Sequence, residues 1–230
     1  MKRFRNILFL ADREDGITAG LERAVDLAGT NEARLTVMDV VPDVALSGYI
    51  KRTYDIDLDA QLKEHRLQSL ESLTRQFTDQ GVPVYTTVAR GKSFLEVIRA
   101  VQRSGHDLVI KVAEHDPGQG MSLLGSNDMH LLRKSPCPVW IDRPGEKSAY
   151  RKILAAVDPF DDESGNLQRL ILDLATSLAG RENASLEIIH TWELAGESML
   201  THGRGRISRI ELELLRNATE SRHKQALDEL

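Results

Sequence analysis

Two aspartates stand where a carboxylate can meet a ligand, because Asp12 and Asp158 each follow a short apolar run. An acidic residue after a strand either caps the next turn through its own backbone or offers its carboxylate to a polar molecule at the strand end. Gly118, Gly120 and Gly125-Ser126 lie in a loop just before a short helical pattern, and a helix start attracts anions through its unpaired N–H groups. Arg90-Gly91-Lys92-Ser93 looks like the tail of a phosphate-binding loop, but the glycine such a loop needs five positions before Gly91 is Thr86, inside a strand pattern. Ser93 followed by Glu96 reads instead as a capping box at a helix start. Gly118-Gln119-Gly120 lacks the third glycine of a dinucleotide fingerprint.

Other chemistries find little footing. His106, His115 and His130 follow no HxxxH or HExxH spacing, so they read as packed or solvated side chains and not as metal ligands. No serine sits in a GxSxG elbow, and no carboxylate pair is spaced for acid–base work. Cys137 is the single cysteine, which excludes an internal disulfide and a CxxC site and points to a reducing compartment.

The elements that must position these residues follow from apolar periodicity. Asn6 to Ala11 is a continuous apolar run suited to a strand covered on both faces. Strands are likewise predicted at 35–41, 82–88, 107–113 and 138–141, and helices are predicted around 17–28, 62–77, 94–101 and 126–133, with Gly81 ending the second helix. Strand and helix alternate, which predicts a parallel sheet with helices on both faces and right-handed crossovers.

The pattern then repeats. Arg5-Asn6-Ile7-Leu8-Phe9-Leu10-Ala11-Asp12 returns 146 positions later as Arg151-Lys152-Ile153-Leu154-Ala155-Ala156-Val157-Asp158, with four of eight positions identical. Leu27-Ala28 recurs as Leu174-Ala175, and the second strand recurs over 186–192. The expected organisation is a complete domain at 1–145, a linker at 146–150 and a second copy at 151–230 that stops within a helix running from Ile207 to Leu230. The 230 residues suit one domain plus part of another, since domains cluster near 100–150 residues.

Composition narrows the partners. Hydrophobic residues make up 41% and charged residues 28%, which is ordinary for a globular chain and excludes disorder and collagen-like order. A net charge of -5 disfavours nucleic acid as a main partner. The apolar run at 7–11 is broken at once by Asp12, Arg13, Glu14 and Asp15, so it makes no secretion signal, and no stretch is long enough to span a membrane. A soluble, cytoplasmic chain is expected.

Three segments carry a resemblance to the universal stress protein family in its tandem form. They are the first strand ending in Asp12, the segment Gly105-His106-Asp107-Leu108-Val109-Ile110-Lys111, and the stretch from Gly125-Ser126 through Leu131-Leu132-Arg133-Lys134-Ser135-Pro136-Cys137-Pro138-Val139-Trp140. The resemblance implies an open five-stranded parallel sheet of the adenine-nucleotide alpha-hydrolase kind, with ATP or another adenine nucleotide above the carboxyl ends of the strands. It assigns cofactor-binding roles to Asp12, Val40, Gly118, Gly120, Gly125, Ser126 and, in the second copy, Asp158. Family members that bind ATP carry G-x2-G-x9-G-[ST]; here Gly125-Ser126 matches its end, while its first two glycines fall on Val112 and His115. A β-branched residue adopts positive φ poorly and holds a phosphate off the backbone, so a degenerate pocket is expected.

The resemblance also implies that the fifth strand, through Val139, Trp140 and Ile141, pairs with the fifth strand of another unit, so self-association is expected at that edge. A buried core position is the other reading of Trp140. The leading expectation is a non-catalytic, stress-associated module that senses a ligand or associates with partners. Two alternatives stand beside it: a protein that binds or hydrolyses ATP with its intact site in the second domain, and a dimerisation scaffold without a ligand. No metal is expected.

Overall fold

The computed structural model describes residues 3–12, 17–78, 81–114, 124–143, 150–160, 166–202 and 207–230. In the first half, the strands β1 (Asn6–Leu10), β2 (Arg34–Val41), β3 (Val84–Arg90), β4 (Leu108–Val112) and β5 (Val139–Asp142) form one parallel sheet in the order β3-β2-β1-β4-β5. β1 and β4 are central, and their apolar runs are buried on both faces. That is why they lack the alternation of a half-exposed strand.

The helices α1 (Ile17–Asn31), α2 (Ser47–Tyr54), α3 (Leu58–Thr78), α4 (Ser93–Ser104) and α5 (Ser126–Lys134) complete this half. One apolar cluster joins α1 and α3 to Ile7, Phe9, Leu35, Val37 and Ile110; the other joins α4 and α5 to Leu8, Leu10, Met38 and Val109. Alternate residues of each strand thus feed opposite layers. α1 lies close to the sheet at Gly20, where a Cβ would stand 2.7 Å from Val112 Cγ2.

The chain divides into two compact units, Met1–Lys147 and Ser148–Leu230. The second unit repeats the opening of the first. β6 (Lys152–Ala156) and β7 (Ser185–Ile189) pair in parallel across α6 (Asn166–Glu182), with α7 (Glu197–His202) and α8 (Arg209–Asp228) following. Ser208 caps α8, its hydroxyl accepting from Glu211 N at 3.2 Å while Glu211 Oε2 accepts from Ser208 N at 2.7 Å. No helix among the described residues is long and apolar enough to cross a membrane.

The structure departs from the sequence reading in several places. α2 occupies part of a segment read as polar connection, and β3 is shifted two residues later, from 82–88 to Val84–Arg90. Gly81 takes a positive φ of 82°, but α3 has already ended at Thr78. Ser93 does not cap α4: Lys92, in extended backbone, holds that position, and Ser93 is the first helical residue. Its hydroxyl turns elsewhere, as described below.

Candidate functional site

An open parallel sheet in this order has its switch point between β1 and β4, where connections leave toward opposite faces and a crevice forms beyond the carboxyl ends. Asp12 follows β1, Lys111 and Glu114 belong to the end of β4, and the amino terminus of α5 closes the crevice. Backbone bonds fix the frame: Ala11 N donates to Met38 O at 2.7 Å, and Ala113 N donates to Asp142 O at 2.6 Å.

Lys111 organises the site. It is fully buried, and its Nζ lies 2.7 Å from Asp128 Oδ1, 3.5 Å from Asp12 Oδ2 and 3.5 Å from Glu114 Oε1. Burial alone would push the lysine pKa down, but attraction to Asp12, Asp128 and Glu114 overrides it and raises the pKa. Asp12 shows the converse. Burial raises its pKa above the ordinary 3.8, repulsion from Glu114 adds to this, and neither Lys111 nor the Ser93 hydroxyl, which donates at 3.3 Å, offsets it.

The start of α5 is occupied by side chains of the chain itself. Asn127 N donates to Glu114 Oε2 at 3.3 Å, and Asn127 Nδ2 donates to Glu114 Oε1 at 2.7 Å. Asp128 Oδ2 accepts from Gly125 N at 3.1 Å and from Glu114 N at 2.9 Å. Gly125 is required because the Glu114 side chain passes directly over its Cα, and any Cβ there would collide with the carboxylate. Two carboxylates therefore take the Asn127 and Gly125 amides and set negative charge at the positive helix end, which would otherwise attract an external anion.

Among the described residues one lysine faces three acidic side chains, so a phosphate brought to the start of α5 would lie beside the Glu114 and Asp128 carboxylates. Val112, read from sequence as an obstacle in the phosphate loop, points away and packs against Gly20 and Phe9 in the core. Among the described residues, Asp12, Lys111, Glu114 and Asp128 come together in the crevice.

The remaining sequence-assigned residues scatter. Ser126 opens α5. Val40 is a core residue of the α4 face, packed with Leu10 and Met38. Gly118, Gly120 and His115 lie outside the described residues. Asp158 belongs to the second unit, where its Oδ1 accepts from Phe160 N at 3.1 Å; it closes a local turn with a side chain 54% exposed. His130 stacks on Phe94 with ring centroids 4.5 Å apart, and burial raises the Cys137 thiol pKa. Among the described residues, no three His, Cys, Asp or Glu side chains are grouped to hold a metal ion.

Sequence reasoning missed Lys111, Glu114 and Asp128 as a unit. The available signal was a lysine inside the otherwise apolar Leu108–Val112, since a lysine buried on both sides needs acidic partners.

Comparison with known proteins agrees with this frame. The model of the Universal stress protein family matches residues 3–143. Universal stress protein E of Escherichia coli is 29% identical over 172 residues, which is 70% of this chain and 53% of that protein. Universal stress protein YxiE of Bacillus subtilis is 26% identical over 147 residues, 61% of this chain and 99% of that protein. A solved structure of a functionally unknown protein from Pseudomonas aeruginosa superposes with a TM-score of 0.69 at 22% identity, over 99% of this chain and 68% of that one. The chain spans about half the length of the Universal stress protein E relatives that it matches.

Proposed function

The chain belongs to the universal stress protein family, and from that premise we propose that it acts as a non-catalytic ligand-sensing or interaction module whose first-domain nucleotide pocket has been closed by its own acids. The observation that carries this reading is the Glu114 carboxylate lying over Gly125 and accepting from the Asn127 amide in the first turn of α5. A triphosphate would have to displace that carboxylate and then sit beside Asp128 and Asp12, at a Coulombic cost that grows in a buried, low-dielectric crevice. ATP is therefore not its ligand at this site, and its role in the stress response runs through association.

Association through β5 belongs to the same reading. β5 ends the strand order, and Val139, Trp140 and Ile141 are half-buried along it. Trp140 packs against the cluster beneath α1, so its ring anchors the strand while the backbone edge does the pairing. The single cysteine, its thiol pKa raised by burial, suits a cytoplasmic setting.

Isothermal calorimetry and thermal shift with ATP and magnesium on the 230-residue chain test the first claim. No heat and no shift are expected, and binding tighter than about 1 mM would overturn it. Light scattering at micromolar concentration tests the second: a dimer is expected, and a monomer would overturn it.

A further inference from the structure

Two histidines join α8 to the second sheet. His190 follows β7 with a side chain only 5% exposed, and His223 stands half-buried on α8. His190 Nδ1 lies 3.0 Å from Val157 O, and His190 Nε2 lies 2.7 Å from His223 Nδ1. A carbonyl can only accept, so His190 Nδ1 carries a hydrogen; Nε2 of the neutral ring then keeps its lone pair and accepts from His223 Nδ1–H. The His223 ring covers Phe160, edge-on at 4.6 Å between centroids, and Trp192, stacked at 5.6 Å.

The first unit solves the same problem with different chemistry. Leu10 pairs with Met38 in β2 as Ala156 pairs with Ile189 in β7, so His190 stands where the first unit has Asp39. Asp39 Oδ2 lies 3.5 Å from Arg66 Nε on α3, the long helix that α8 repeats in order. The strand-to-helix tie is thus an acid with a guanidinium in one unit and two imidazoles in the other. Two imidazoles hold a hydrogen bond only while one of the facing nitrogens keeps its lone pair.

We propose that His190 and His223 form a proton-operated latch that releases α8 as the medium turns mildly acidic. One proton is accommodated, shared between the facing nitrogens and favoured by Asp158 Oδ1, 4.0 Å from His190 Nδ1. A second sets two N–H groups and two positive charges against each other across 2.7 Å, with no acceptor left between them. Histidine is the side chain that makes this exchange between pH 5 and 8. The other charged groups around the pair, among the described residues, are Arg222, which lies over the Phe160 ring at 5.2 Å from its centroid, the Glu197–Arg216 ion pair between α7 and α8, Glu220 and Lys224 beside His223 on α8, and Glu193 after Trp192. No residue of α8 is buried, so little else holds the helix once the pair parts, and the Phe160 and Trp192 rings are then uncovered.

The test is amide exchange on the 230-residue chain at about pH 7.5 and about pH 5, each rate divided by the intrinsic rate at its own pH to give a protection factor. Protection across 209–228 is expected to fall about fivefold or more at the lower pH, while β1 and β4 lose none. His223→Asn sets an amide N–H near the place of Nδ1 and does not titrate, so its protection across 209–228 is expected to be the same at both pH values. The proposal is overturned if the parent keeps its protection there at the lower pH, if His223→Asn loses it as the parent does, or if β1 and β4 lose protection in the same proportion.

Discussion

Lys111 Nζ and Asp128 Oδ1 meet at 2.7 Å, and neither side chain has any exposed surface. The pair ties the end of β4 to the first turn of α5. Removing one member of a buried pair leaves a desolvated charge behind, at about 3–5 kcal/mol. Lys111→Met is therefore expected to lower unfolding stability by about that amount, since three acidic groups would then crowd one cavity. Urea denaturation measures it, and a loss below about 1 kcal/mol would mean that the pair is solvated in solution.

The pH dependence of the crevice has two parts of the same sign in separate pH ranges. Asp12 has a raised pKa in the folded state, so its contribution to stability is fully present below 3.8 and disappears as pH rises through the higher folded value. Lys111 also has a raised pKa; its contribution holds from acid through neutral pH and is lost only above its ordinary value of 10.5. Asp12→Asn is thus expected to flatten the stability curve just above pH 3.8 and to leave neutral-pH stability within about 1 kcal/mol. Thermal melts across pH 3 to 8 check this, and an unchanged slope would remove Asp12 from the account.

Glu114 acts as the internal anion of α5. Glu114→Ala vacates the backbone and side-chain amides of Asn127 at the helix start while keeping Lys111 nearby. The variant is expected to gain sulfate binding in the millimolar range, with a dissociation constant at least about tenfold below that of the parent chain. Calorimetry with sodium sulfate reads this directly, and equal affinity in the two proteins would show that Glu114 does not guard the helix end.

α8 has no buried residue and is fastened at one aromatic cluster. His223 Nδ1 lies 2.7 Å from His190 Nε2, its ring meets Phe160 edge-on at 4.6 Å, and it stacks with Trp192 at 5.6 Å. Arg216 adds an exposed ion pair to Glu197. His223→Ala is expected to speed amide exchange across 209–228 about fivefold, equivalent to losing roughly 1 kcal/mol of local stability. Exchange in β1 and β4 should not change.

The sheet was legible because its central strands are continuous apolar runs, which only a strand covered on both faces requires. The duplication was legible because Ile7-Leu8 and Asp12 recur at a fixed offset as Ile153-Leu154 and Asp158. The crevice was half legible. Asp12 stands where the strand pattern puts it, but Asp128 and Glu114 are one helix turn and one strand end whose meeting depends on tertiary packing. Ser93 misled for a similar reason. Its spacing to Glu96 fits a capping box, yet the helix begins one residue earlier than that pattern requires, and the Ser93 hydroxyl donates to Asp12, distant in sequence.

Among the described residues, the second unit pairs two strands where the first pairs five. Leu154, Leu167, Ile188 and Ile189 are left facing water, and a pair of strands is marginal without further layers. Heating is thus expected to give two separate calorimetric peaks, the earlier from Ser148–Leu230 and the later from Met1–Lys147. A substitution at Lys111 would displace only the later peak, so each molecule carries its own reference signal in the same scan.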